Sequence, residues 1–191
     1  NIQFAKDTIT ANINFSAKDR SGLEVKKLSA AFKFTPQLME FKDLDLITNR
    51  SHIKDYYAMR YKNFNDDMGD FMHAVKLEAN FKESEISSDD LAFFSPQLKK
   101  WKRNFSIAGN ASGTVDDISA KKMLIRSGKQ NYLDGDISLR GLPDINQTYI
   151  NLHSNELRTS YDEIANLAPS LKSVTTHNLK ALGNIGFLVN F

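Results

Sequence analysis

The sequence predicts an all-β protein: a repetitive antiparallel sheet with short helical plugs. Three observations predict this fold class. Apolar and polar residues alternate along many short segments, turn-forming residues separate those segments, and one short element ended by proline occurs twice. Alternation with a period of two is typical of antiparallel strands that have one apolar face and one solvated face.

The alternation begins near residue 9 and continues to the end of the chain. Turn-forming segments lie between the alternating runs, at 19–22, 35–36, 49–51, 116–117, 127–129 and 141–144. The apolar positions of the predicted strands are, in chain order, Ile9, Ala11, Ile13 and Phe15; Leu28, Ala30, Phe32 and Phe34; Leu44 and Leu46; Tyr57, Met59 and Tyr61; Val75, Leu77, Ala79 and Phe81; Phe105, Ile107, Gly109 and Ala111; Leu133, Gly135, Ile137 and Leu139; Ile150 and Leu152; Gly183, Ile185, Phe187, Val189 and Phe191. Each set falls on one side of its strand, because successive side chains point to opposite faces.

One helix is predicted over residues 65–72, between two strands. Phe64, Met68 and Phe71 form a stripe at helical spacing there. Such a stripe predicts packing against the sheet.

The repeated element is a short helical plug. Ser87 precedes Asp90 by three residues, and Ser160 precedes Glu163 at the same spacing. This is the start signature of a helix, in which the hydroxyl and the carboxylate satisfy free backbone donors. Pro96 and Pro169 follow and limit each helix to about two turns. We therefore predict helices over 88–94 and 161–168, held by packing because helices this short are marginal alone.

The duplication extends beyond the plug. Residues 75–80 align with 150–155 before the serine boxes, and 107–110 align with 182–184 after them. Units of about 75–146 and 148–191, the second truncated, predict that residues 1–191 are one segment of a repetitive groove from a longer protein.

The chain carries no recognisable catalytic or metal-binding motif. Its four histidines are scattered, cysteine is absent, and no phosphate loop or nucleophile motif occurs. Lysine and arginine (25) nearly balance aspartate and glutamate (23), which gives no reason to expect a nucleic-acid partner, although a basic run surrounds Trp101. We expect no enzyme activity, no catalytic residue, no bound metal and no cofactor.

Three stretches resemble a known family. NASGTVDDISAKK at 110–122 and GDISLRGLPDI at 135–145, followed by TYI at 148–150, are similar to phrases of TamB-type translocation and assembly proteins, in particular the Bacteroidota versions. GLEVKKLS at 22–29 resembles the strand-to-strand steps of AsmA-like proteins. The resemblance implies a large periplasmic protein of a Gram-negative bacterium, anchored in the inner membrane. It also implies that the strands form a curled sheet, a groove or β-taco with an apolar trough. The implied partner is a BamA- or TamA-like outer-membrane barrel, contacted through other parts of the parent protein.

The pattern and the resemblance together predict a conduit for phospholipid acyl chains between the inner and outer membranes. Two alternatives stay open: a scaffold that presents sheet edges to client strands of outer-membrane proteins, and a carbohydrate- or matrix-binding β-solenoid. The same alternation would also build a closed sandwich whose apolar face is core. The residues expected to contact lipid tails are Ile13, Phe15, Ala30, Phe32, Leu77, Ala79, Ile107, Gly109, Ile137, Leu139, Ile150 and Phe187.

Overall fold

A computed structural model describes residues 2–144, 147–160 and 184–188 of the chain. They form one antiparallel sheet of eleven strands arranged in sequence order, so the predicted all-β fold class is confirmed. The strands are β1 (Ile2–Ala5), β2 (Thr8–Lys18), β3 (Glu24–Thr35), β4 (Leu38–Ile47), β5 (His52–Arg60), β6 (Lys76–Ser87), β7 (Asn104–Gly113), β8 (Asp117–Ser127), β9 (Asn131–Arg140), β10 (Tyr149–Ser160) and β11 (Asn184–Leu188).

The helices lie in two of the connections. The predicted helix over 65–72 is two shorter helices, α1 (Phe64–Gly69) and α2 (Phe71–Ala74), which meet at the non-helical Asp70. The first plug is α3 (Ser88–Leu91), followed by turns and a 3₁₀ helix over Pro96–Lys100. The predicted second plug at 161–168 lies outside the described residues. The strands that lead to the two serine boxes, β6 and β10, both contain twelve residues.

The register divides the sheet into an apolar face and a polar face. Directly paired residues share a face. Ile13 pairs with Ala30 and Phe32 pairs with Phe41, so the apolar positions of neighbouring strands coincide. The same holds at the other end of the sheet, where Ile150 pairs with Leu139.

A row of β-bulges crosses the sheet. Every strand pair from β2/β3 to β9/β10 contains a register shift. Five consecutive strands, β4 to β8, each place one positive-φ residue in this row, which we call the crease: Asp43, Asp55, Glu83, Gly109 and Lys122. A bulge bends its strand and increases the local twist, so bulges aligned across neighbouring strands curl the sheet.

No second layer packs on the sheet within the described part of the chain. Each strand makes substantial contact only with its neighbours in sequence. Few apolar side chains are buried there: Ala30, Leu44, Ala58, Tyr61, Val75, Leu98, Ile107 and Met123. The closed sandwich that the alternation alone allowed is therefore not the architecture of the described residues.

We predict that Gly109→Ala destabilises the chain by roughly 2–3 kcal/mol or more. Gly109 has φ +129°, and a Cβ there would lie 2.6 Å from both the Lys122 carbonyl oxygen and the Met123 sulfur. Urea unfolding would measure the loss. Gly69→Ala is the matched control, because a Cβ at Gly69 meets nothing within 4 Å. Equal stability of the two variants would contradict the role of the crease.

Candidate functional site

The strand register places the predicted lining residues together on the apolar face. In β2 and β3 they are Ile13, Phe15 and Phe32, and the later strands continue the row to Leu139 and Ile150. Most of these side chains are half-buried, and Phe15 and Ile150 are exposed. The backbone position of Phe187 lies opposite Leu157, and its side chain is outside the description. The apolar face is thus continuous from β1 to β10.

Two of the predicted lining residues are largely buried. Ala30 and Ile107 are only 6% and 7% exposed, so they offer little surface to a lipid tail, and their contact with lipid stays a prediction. Gly109 is a glycine for a reason that lies in the backbone. It is glycine because the crease requires a positive φ and a close approach to β8, rather than because a ligand needs the space.

Aromatic rings form the widest apolar surface, on β3 to β5. The rings of Phe32 and Phe41 lie 5.2 Å apart between centroids, and Phe41 and Tyr57 lie 6.2 Å apart. Burial raises the pKa of the Tyr57 hydroxyl to about 12.

The helices α1 and α2 form an end cap at the lower end of the groove. We call lower the end of the sheet at which β9 ends and β10 begins. Phe64 of α1 makes edge-on contacts with Phe34 and Tyr61, at centroid distances of 5.6 and 5.4 Å. The predicted packing of the stripe against the sheet is confirmed for Phe64.

The first plug crosses the apolar face as a strap, which we define as residues 88–101. It leaves β6 at the upper end of the sheet, yet the Ser95 hydroxyl donates to the Pro143 carbonyl oxygen (2.6 Å) in the connection after β9, at the lower end. The Gln97 amide also donates to Asp144 (3.3 Å). Trp101 packs on Phe105 of the apolar face. The strap therefore joins the two ends of the sheet across this face.

The reach of the strap requires a bent sheet. A flat strand of ten residues such as β7 would span about 33 Å. Turn hydrogen bonds keep residues 88–95 compact. This segment, together with the residues that lead from the end of β9 to Pro143, can therefore span only about 20–25 Å. The ends of the strands must therefore approach each other, which converts the apolar face into a groove.

The strap is anchored at its upper end by the carboxylate of Asp90. Its Oδ2 accepts hydrogen bonds from the Thr48 hydroxyl, the Ser51 hydroxyl (2.7 Å) and the Arg50 backbone N–H (3.0 Å). The other oxygen, Oδ1, is buried without a partner among the described atoms. Burial by itself raises the pKa of Asp90, but these hydrogen bonds outweigh it, and the pKa is lowered overall.

The predicted capping box is only partly formed. Ser87 is the N-cap of α3, and its hydroxyl accepts from the Asp89 N–H (3.3 Å). Asp90 does not reach back to the Ser87 N–H. That donor bonds instead to the Ser51 hydroxyl (3.0 Å), because Asp90 is committed to the turn between β4 and β5.

The described residues offer no clustered metal ligands and no membrane-spanning helix. No three histidine, cysteine or acidic side chains converge among them. None of the helices found there has the length and hydropathy of a membrane span. His52 lies 2.6 Å from Asp45 and His73 lies 2.6 Å from Asp70.

Comparison of the chain with family models, with curated proteins and with solved structures gives no match.

We predict that Asp90→Ala lowers the free energy of unfolding by about 3 kcal/mol, because it leaves buried donors of the β4–β5 turn without an acceptor. Chemical denaturation at neutral pH would measure the loss. The matched control is Asp66→Ala, at an exposed position in α1. A change at Asp90 no larger than that at Asp66 would contradict the anchor.

The same group fixes the direction of the pH dependence. A carboxyl whose pKa is lowered by folding stabilises the fold fully above its ordinary value of 3.8, and this contribution is lost as the pH falls through the folded value. The stability difference between wild type and Asp90→Ala should therefore shrink below about pH 3.8.

Proposed function

We propose that the chain is a segment of a periplasm-spanning bridge protein whose apolar groove conducts phospholipid between the inner and outer membranes. One observation carries the proposal. The apolar face runs from β1 to β10, and no second sheet covers it in the described part of the chain. Contiguous exposed apolar surface of this extent is rare on a protein that does not use it for binding.

The physical requirement of lipid transfer matches such a surface. A phospholipid carries on the order of 30 methylenes, each costing about 0.8 kcal/mol to expose to water, so free passage would cost ~25 kcal/mol. A conduit needs continuous apolar lining and no reactive group. Strands with one apolar face supply that lining, and the crease bends it around a chain-like ligand.

The strap gives the groove a covered section. It spans the opening from the upper to the lower end through Ser95 and Pro143. The buried Ile107 and Met123 lie in β7 and β8, in the sector that the strap crosses. Acyl chains would run along the groove beneath the strap. Head groups would reach water outside this covered section.

The sequence resemblance extends the proposal to the parent protein. A TamB-type parent would be periplasmic and anchored in the inner membrane, and would meet a BamA- or TamA-like barrel through other segments. Enzyme activity forms no part of this function.

Lipid contact is tested by photo-crosslinking. A photoreactive residue at Leu139, on the apolar face, should form phospholipid adducts in a phospholipid-containing membrane extract. The same residue at Ser138, on the polar face, should form none. Ala79→Asp should reduce the Leu139 adduct about tenfold while the sheet still forms, since a charge in the lining penalises each tail.

The matched control is Ala31→Asp, an alanine-to-aspartate change on the exposed polar face. It should leave the adduct unchanged. Unfolding of Ala79→Asp together with no adduct at Leu139 would show that the apolar face is a closed core and would reject the conduit.

A further inference from the structure

The polar face carries a groove of its own. Two adjoining depressions of about 280 and 300 Å³ cross β8, β9 and β10. They share Ser138 and Asn151, so they form one continuous surface, which we call the polar groove. It lies on the opposite side of the sheet from the apolar groove, because Ser138 follows Ile137 and precedes Leu139 along β9.

Strand register builds the polar groove from three cross-strand rows. Paired residues in adjacent strands stand side by side, and successive rows lie two residues apart along each strand, about 6.8 Å. Register sets two complete rows: Asp117, Arg140 and Tyr149; and Ser119, Ser138 and Asn151. In the third row Asp136 pairs with His153 in register, and Lys121, at the bulge of β8, joins Asp136 through an ion pair.

The charges of the outer rows cancel within the groove. Arg140 pairs with Asp117 at 3.2 Å, and Lys121 pairs with Asp136 at 3.0 Å. The Lys122 backbone N–H and the Lys121 ammonium lower the pKa of Asp136, so its carboxylate stays ionised at neutral pH. A ligand of this surface therefore gains nothing from a net charge of its own.

The middle row is uncharged and hydrogen-bonding. The hydroxyls of Ser119 and Ser138 lie 3.3 Å apart, and the carboxamide of Asn151 stands beside them. Hydroxyl and carboxamide groups can both donate and accept, which matches a ligand whose own groups do the same.

Tyr149 supplies an aromatic surface at one end of the polar groove and is 69% exposed. Two other tyrosines that the structure describes on the polar face are engaged: Tyr56 donates to Glu40, and Tyr132 lies between the guanidinium groups of Arg126 and Arg158. The exposed ring of Tyr149 can receive an apolar ligand face while its hydroxyl stays in water.

We propose that the polar groove binds a neutral oligosaccharide chain. A pyranose ring has a C–H face that stacks on an aromatic ring and a rim of hydroxyls that donate and accept, the two properties that Tyr149 and the middle row complement. Acyl chains would have to desolvate two ion pairs. Nucleic acid and other polyanions lack a net positive surface there. An extended peptide finds no free strand edge, because β9 is paired on both sides.

The experiment is isothermal titration calorimetry of the chain with chitohexaose, cellohexaose and maltohexaose, three neutral oligosaccharides of different linkage and substitution. At least one should bind, and Tyr149→Ala should weaken that binding at least tenfold. Phe94→Ala is the matched control, because Phe94 is an aromatic residue of the strap with the same exposed fraction, 69%. It should leave the affinity unchanged.

The outcome is independent of the lipid proposal. Tyr149→Ala should leave the phospholipid adduct at Leu139 intact, since the two residues lie on opposite faces. Absence of binding to all three oligosaccharides, or equal binding by wild type and Tyr149→Ala, overturns the polar groove as a glycan site even where lipid adducts form.

Discussion

The architecture depends on the crease, where neighbouring strands of a long antiparallel sheet bend at positions that are aligned across the sheet. A flat sheet would leave both faces open and would place its two ends too far apart for the strap to bridge. The aligned bulges solve this by accepting left-handed backbone at Asp43, Asp55, Glu83 and Lys122, with glycine only at Gly109. These non-glycine residues are strained, and each is held by a neighbouring strand on both sides. The curl, the groove and the covered section all follow from that row.

The strap shows how a marginal helix is kept in place. α3 contains one turn and has little stability of its own. Asp90 fastens it to a turn some forty residues earlier, and Ser95 fastens its far side to the connection after β9. Fixing both sides orders the intervening segment without a second sheet. The apolar face can therefore be covered locally while the rest of its length stays accessible.

The two faces separate two kinds of chemistry on a single layer of strands. Side chains that alternate along β9 belong in turn to the apolar groove and to the polar groove. Neither ligand would interfere with the other, because the paired backbone lies between them. The two proposals assign one face to each ligand: the apolar face to acyl chains, and the polar face to water and a neutral oligosaccharide.

The sequence by itself determined the class of the sheet, the parity of its strands and the position of the first plug, since period-two alternation and helix-start residues are local signals. It predicted Leu139 and Ile150 on the same face, as the register places them. It missed β8, because the bulge at Lys122 reverses the alternation between Ala120 and Met123. Only the tertiary structure decided that Ile107 is buried, that Asp90 serves a distant turn and that Ser95 meets Pro143. Those contacts join residues far apart in the chain, and their geometry is set by the bend of the whole sheet.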